Sequence, residues 1–289
     1  MMNLLPFVAS GLGLGGVYAL SGVALVVLYR ASGTVNFALG ALGAFGAHCA
    51  WSLLHAKSSP ALAWIVAVSV SAALSFLYGR LVAPALHHRD QTVRAIGTLG
   101  FALVLLGAMG LIWGETIPRR LILPTDQMFI TLFAVRVTYT RVLALVLAIA
   151  MVGGVWLLLH RTRIGLAMRA LANDRKLSDV IGIDVVAVDS VAWLISGAFA
   201  GISGLLLADL VRLQPTFLTF LIIPAIAAAI LGRLTSLTWT LIGGVFVGLV
   251  EALLTAIPGI ASYRSAAPYL IALLFVAIWG GRLVARSDA

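Results

Sequence analysis

Residues 4–29 read LLPFVASGLGLGGVYALSGVALVVLY and contain no charged side chain. A helix needs about 20 apolar residues to cross the hydrocarbon core of a bilayer, and this run exceeds that length. It shows none of the two-residue alternation of a barrel strand. Further apolar runs follow at Val35–Leu54, Ala61–Ala83, Ala95–Trp113, Val142–Leu159, Val188–Ala208, Phe217–Leu231, Leu237–Ile257 and Ala267–Val284. Nothing in lipid but a helix or a closed barrel satisfies its own backbone, and these long, irregularly spaced runs select helices. The chain reads as an all-α, polytopic transmembrane helical bundle of about 8–9 spans. Phe217–Leu231 is short and starts just after Pro215, as a broken or re-entrant helix does. No linker divides the chain, so residues 1–289 read as a single transmembrane domain.

Composition agrees. Hydrophobic residues make up 62% and charged residues 10%, and the mean hydropathy is +1.11. A soluble domain carries about 25% charged residues, so a soluble enzyme, a nucleic-acid binder and a disordered tail are excluded. The net charge of +9, from 19 basic against 10 acidic residues, comes from basic residues lying between the apolar runs. That is the positive-inside pattern, and no basic patch interleaves with exposed aromatics to bind nucleic acid. With nine spans, Arg30, the 80–94 segment, the 160–187 loop, Arg233 and the tail from Arg282 share one side, which carries most of the Lys and Arg. The N-terminus is then outside and the C-terminus cytoplasmic. The start, Met1-Met2-Asn3, lacks the basic region of a cleavable signal, so the chain is expected to enter the membrane through its own first helix. The long segment Gly114–Arg141, with Pro118, Pro124 and Thr125-Asp126-Gln127, reads as an ordered external loop. Cys49 is the single cysteine and is expected to be a small buried apolar residue with no internal disulfide.

Catalytic motifs are missing. Neither Lys57 nor Lys176 follows a glycine, so there is no phosphate-binding loop, and neither G-x-S-x-G nor H-E-x-x-H occurs. His87 and His88 are adjacent, about 100° apart on a helix and poorly placed to share a metal, and read as a solvated loop pair. No enzyme activity, metal or cofactor is expected of this chain. Asp189 and Asp209 are expected to cap the two ends of the Val188–Ala208 helix. Ionisable residues are nearly missing from the spans, and Glu251 is the one acid some way inside one; it is a proton relay, a buried hydrogen-bond acceptor, or a group near the outer interface. The second run is glycine-rich, with Gly33, Gly40, Gly43 and Gly46 around Asn36 and Phe37. A helix with so little side-chain volume is gripped by neighbours or interrupted where a solute passes. Gly11 and Gly15, Gly197 and Gly201, Ala200 and Gly204, and Gly244 and Gly248 form small-xxx-small faces that let helices approach closely. In the 160–187 loop, Ile164, Met168 and Leu171 fall on one helical face and Arg169, Asn173 and Lys176 on another, with Gly182 as the stop. Such a helix lies in the headgroups or meets a soluble motor.

Taken together these segments resemble the permease subunits of branched-chain amino-acid ABC importers, the LivH type. The match runs through Gly15-Gly16-Val17-Tyr18-Ala19-Leu20, Leu28-Tyr29 and Val35-Asn36-Phe37-Ala38-x-Gly40. It continues through Arg161-Thr162-Arg163-Ile164-Gly165, Met168-Arg169-Ala170, Asp174 and Gly182-Ile183-Asp184, then Ala227–Gly232, Ser236, Gly243-Gly244, Gly248 and Glu251. The resemblance implies a multi-pass permease of a bacterial inner membrane that forms half of a translocation path. Its partners would be a second related permease, two cytoplasmic ATPases and a periplasmic solute-binding protein. The implied cargo is a branched-chain amino acid or another small polar solute such as an amide, urea or a small organic acid. On this reading Asn36, Phe37, Gly40, Gly43 and Glu251 line or gate the path, and Arg161, Arg163, Gly165, Arg169, Asp174 and Lys176 couple to the ATPases. The alternative is a stand-alone ion-coupled carrier working through Glu251. Two departures stand out. The family's His-Gly-Glu after Asn-Phe-Ala is here Leu39-Gly40-Ala41, and its Gly-Leu-Gly-Ser after Leu231-Gly232 is Arg233-Leu234-Thr235-Ser236.

Overall fold

The structure, a computed structural model, describes residues 4–114, 119–132, 135–220 and 222–284; Pro118 lies outside them. Helix α1 (Leu5–Ser32) opens on Pro6 and stops at Gly33, whose φ of 66° is the left-handed geometry of a helix end. A short irregular stretch leads to α2 (Leu39–His55), four residues later than the apolar run begins. Helix α3 (Pro60–Leu77) continues through a π-turn (Tyr78–Val82) into α4 (Ala83–Leu86). After α5 (Gln91–Trp113) come α6 (Pro124–Gln127) and the antiparallel hairpin β1 (Phe129–Leu132) and β2 (Val135–Thr138). The rest is α7 (Tyr139–Arg161), α8 (Arg163–Asn173), α9 (Arg175–Val180), α10 (Val185–Leu210), α11 (Pro215–Phe220), α12 (Ile222–Leu231), α13 (Leu237–Leu254), a 3-10 turn (Ala261–Ala266) and α14 (Ala267–Val284).

Among the described residues, seven helices are long and apolar enough to cross a membrane, rather than eight or nine. The difference lies in two places. Because the chain from Gly33 to Ala38 is not helical, α2 has only 17 residues. The run at 217–231 is two short helices, α11 and α12. Both segments are nevertheless packed inside the bundle.

Small residues set the packing. Helix α1 lies at the centre and runs antiparallel against α13, where a methyl on Gly11 would stand 2.8 Å from Leu249 Cα and one on Gly15 2.7 Å from Val245 Cα. Helix α10 lies on α3 in the same way: a methyl on Gly201 would meet Val68 Cα at 2.8 Å and one on Gly197 the Ser71 carbonyl at 2.6 Å. Gly43 of α2 abuts Gly204 of α10 backbone to backbone. All four small-xxx-small pairs therefore belong to helix contacts. In lipid, where apolar burial gives no drive between helices, such close approach supplies the dispersion contact that holds them.

Two groups of polar contacts lie at opposite ends. At one end Arg94 donates to the Ser32 carbonyl at 2.9 Å, and Arg175 reaches Ala31, His87 and Asp189. Arg30, Arg169 and Leu237 share a crevice there, so three of the segments the charge pattern grouped, at Arg30, 80–94 and 160–187, meet at this end. At the other end Arg119 and Leu213 exchange backbone hydrogen bonds of 3.2 and 3.1 Å, and Trp113 Nε1 donates to Ser52 Oγ at 2.7 Å.

Three local expectations change. Helix α10 begins at Val185 and is capped by Asp184, whose carboxylate accepts from Ala187 N at 2.9 Å. Asp189 instead pairs with Arg175, and Asp209 accepts from Leu123 N at 2.7 Å, tying the external loop to the helix. The 160–187 loop holds two helices, because Asp174 adopts an extended φ of −148° and caps a new helix by accepting from Leu177 N. Lys176 is thus not on the helix of Arg169 and Asn173, and Gly182, at φ 89°, follows α9 rather than α8. Cys49 is half-buried. Finally, Arg233 and Leu234 hold φ of 53° and 56°, a left-handed pair without glycine in the turn between α12 and α13.

Candidate functional site

The end opposite Arg175 contains a cavity of about 720 Å³ between the start of α1, α11, the end of α13, the 3-10 turn and the start of α14. Its polar lining includes Glu251, Tyr18 and the guanidinium groups of Arg141, Arg212 and Arg264, and its apolar wall includes Phe7, Phe217, Phe220 and Tyr269. Tyr18 is 2% exposed and donates its hydroxyl to Glu251 Oε2 at 2.9 Å. A buried tyrosine needs such an acceptor, and the pair ties the two central antiparallel helices together beside the cavity. Of the three settings open to Glu251, the structure shows a hydrogen-bond acceptor on a cavity wall.

The second helix is placed differently. Asn36 is fully buried; its Oδ1 accepts from Ala38 N at 2.9 Å, and its Nδ2 has no partner among the described residues. The Phe37 backbone N–H donates to Thr98 Oγ1 at 3.0 Å, which fixes the irregular stretch ahead of α2. Gly40 abuts the backbone of Leu218 and Thr219 on α11, and Gly43 that of Ala200 and Gly204. Between them lies a crevice of about 20 Å³, lined also by Ser21, Ser203 and Ile222. A space of that size holds about one water. Helix α11 stands between the two spaces, with Phe217 and Phe220 lining the cavity and Leu218 the crevice. Glu251 and the Asn36–Gly43 stretch are therefore separate features with α11 between them.

The residues expected to meet a motor lie at the Arg175 end. Arg161, Arg163, Asp174 and Lys176 are exposed. Gly165 is buried, donating its N–H to Thr162 Oγ1 at 3.0 Å and seating α8 tightly on the end of α7. Arg169 is half-buried and lines the crevice together with Arg30. Beside these, Leu177, Val180 and Ile181 are exposed apolar residues on and after α9. His87 is a hydrogen-bond acceptor for Arg175 rather than half of a solvated pair. Among the described residues no group of His, Cys, Asp and Glu could hold a metal ion.

The sequence reading did not single out Arg264, Arg175 or the role of Tyr18. Tyr18 and Glu251 are 233 positions apart, and no local period links residues so distant.

Seven long apolar helices among the described residues, with short broken helices beside a cavity, make the architecture of a multi-pass membrane protein. The profile of the branched-chain amino acid transport system permease component matches residues 7–278, and the chain belongs to that family. Its relatives include the probable branched-chain amino acid transport permease protein LivH of Methanocaldococcus jannaschii, 30% identical over 80% of this chain and 75% of the relative. The BraD permease of a high-affinity branched-chain amino acid transport system in Pseudomonas aeruginosa is 26% identical over 86% of each chain. The guanosine ABC transporter permease NupQ of Bacillus subtilis is 27% identical over 96% of this chain and 88% of its own. No solved structure gives a significant match.

Proposed function

We propose that this chain is a permease subunit of an ATP-driven importer for branched-chain amino acids or a related small polar solute, embedded in a cell inner membrane. The observation that carries the reading is the cavity lined by Glu251, by the guanidinium groups of Arg141, Arg212 and Arg264, and by aromatic rings. A carboxylate for an ammonium group, a guanidinium for a carboxylate and an apolar wall for a side chain complement a zwitterionic amino acid. Guanosine, the cargo named for the NupQ relative, has no carboxylate to engage these guanidinium groups.

On this reading α2 and the α11–α12 pair also cross the bilayer, giving nine crossings with the cavity facing outside and the C-terminus in the cytoplasm. Helix α11, pinned against Gly40, forms with Asn36 and Phe37 the gate between the cavity and the closed half of the path. Arg161, Arg163, Asp174 and Lys176, seated by Gly165 and Arg169, form the surface that meets two cytoplasmic ATPases. A second permease supplies the other half of the path, and a soluble binding protein delivers solute to the cavity end. Residues 1–289 act as one permease domain, with ATP hydrolysis in the partner chains.

Purification in mild detergent after crosslinking in its own membrane tests this. Recovery with a second permease and P-loop ATPases is expected. A clean monomer or homodimer, combined with ion-driven uptake by the chain alone that is lost in Glu251→Gln, would overturn it in favour of a secondary carrier.

A further inference from the structure

Arg175 opens α9 immediately after the break at Asp174. Its guanidinium contacts three other segments: Nη1 donates to the Ala31 carbonyl in the last turn of α1 at 2.9 Å, Nε donates to His87 Nε2 at 2.9 Å, and Nη2 pairs with Asp189 of α10. Arg94, from the first turn of α5, donates to the next α1 carbonyl, Ser32, at 2.9 Å. The side chains of the ion pair are 23% and 13% exposed, so the pair is only partly screened by water and salt. A rigid planar fork with five donors can hold three directions at once, which a lysine cannot do.

The helices joined are those that matter for the path. Helix α1 carries Tyr18 against Glu251, and α10 carries Gly204 against Gly43. The outer surface of α9, by contrast, carries exposed Leu177 and Val180. One side chain thus connects an exposed surface to both central helices.

We infer that Arg175 is a positioning residue, a joint that makes α9, the ends of α1 and α10 and the His87 turn move as one body, so that a push on α9 reaches the cavity. The inference rests on the importer reading above. His87 accepts from Arg175 through Nε2 and must be neutral to do so. Burial, the Arg175 guanidinium, and then His88 and Arg94 hold its pKa below the ordinary imidazole value, against the opposing pull of Asp179. Asp189 meets the same guanidinium from α10. The ring is therefore neutral at pH 7; it takes a proton, and the joint loses an arm, only as pH falls below the ordinary value through the lowered one.

The test uses the assembled complex with its ATPases, in a Cys49→Ser background, with spin labels at Leu5→Cys and Tyr263→Cys at the cavity end. Pulsed dipolar spectroscopy compares the label distance in the nucleotide-free and the vanadate-trapped complex. The expected result is a nucleotide-dependent shift that Arg175→Ala loses for the most part while the ATPases still trap vanadate. Arg175→Lys, which keeps the ion pair but not the fork, gives a smaller shift than the unsubstituted complex and guards against a folding failure in the alanine variant. Lowering the pH from 7 shrinks the shift, and His87→Gln, which keeps an acceptor, abolishes that pH dependence. An unchanged shift in both Arg175 variants overturns the joint while leaving the importer reading intact. No shift in the unsubstituted complex, or no bound ATPase, counts against the importer reading itself and takes the joint with it.

Discussion

The two ends of the bundle use similar residues in opposite ways. At the Arg175 end, the guanidinium groups of Arg94 and Arg175 are occupied by carbonyls, an imidazole and a carboxylate, beside a narrow crevice. At the Glu251 end, a carboxylate and the guanidinium groups of Arg141, Arg212 and Arg264 line about 720 Å³ of open space. Charged groups that bind each other hold helices; charged groups that line a cavity have spare capacity for a solute. On the function proposed above, the closed end is the lever of the molecule and the open end its binding face.

This contrast can be broken by substitution, beginning where packing is tightest. Gly204→Leu places a side chain into the Gly43 backbone and is expected to prevent folding, because overpacking here exceeds the roughly 1–3 kcal/mol that a core usually tolerates. Loss of the monodisperse peak in detergent chromatography checks this. Asp189→Ala leaves Arg175 partly buried without its carboxylate and should cost about 3 kcal/mol, read as a lowered thermal midpoint in detergent. Tyr18→Phe removes the hydroxyl that Glu251 Oε2 accepts and should cost about 2 kcal/mol, and a larger effect on solute uptake than on stability is the sign that the pair belongs to the binding face. The smallest effect is at the turn: Arg233→Gly relieves a left-handed φ of 53°, a strain of about 1 kcal/mol, but also removes the side chain's own interaction, so the midpoint should move less than in the variants above. Equal costs for Asp189→Ala and a comparable cut at the cavity wall, such as Ser262→Ala, would erase the distinction between the ends.

Much of this was legible in the sequence. The apolar runs located every long helix, because a membrane span must satisfy its backbone within itself, and the small-residue pairs named the interfaces that Gly11, Gly15, Gly197 and Gly201 make. Helix interruptions were harder. The non-helical stretch at 33–38 is apolar apart from Thr34 and Asn36, and only contacts such as Phe37 N–H to Thr98 Oγ1 show where it is held. Asp174 reads equally as a solvated charge and as a cap; its hydrogen bond to Leu177 decides it. Long-range partners such as Tyr18 with Glu251, or Arg175 with Ala31 and His87, leave no periodic trace. The turn at Arg233-Leu234 was visible as a departure from a glycine pattern, and its positive φ values supply the physical cost of that departure.

The most direct test of the central claim is uptake of radiolabelled leucine into proteoliposomes containing the complete complex and its binding protein. The account predicts uptake that requires ATP, falls sharply in Glu251→Gln, and is absent when this chain is reconstituted alone under a proton gradient. Uptake by the chain alone, indifferent to ATP, would contradict it.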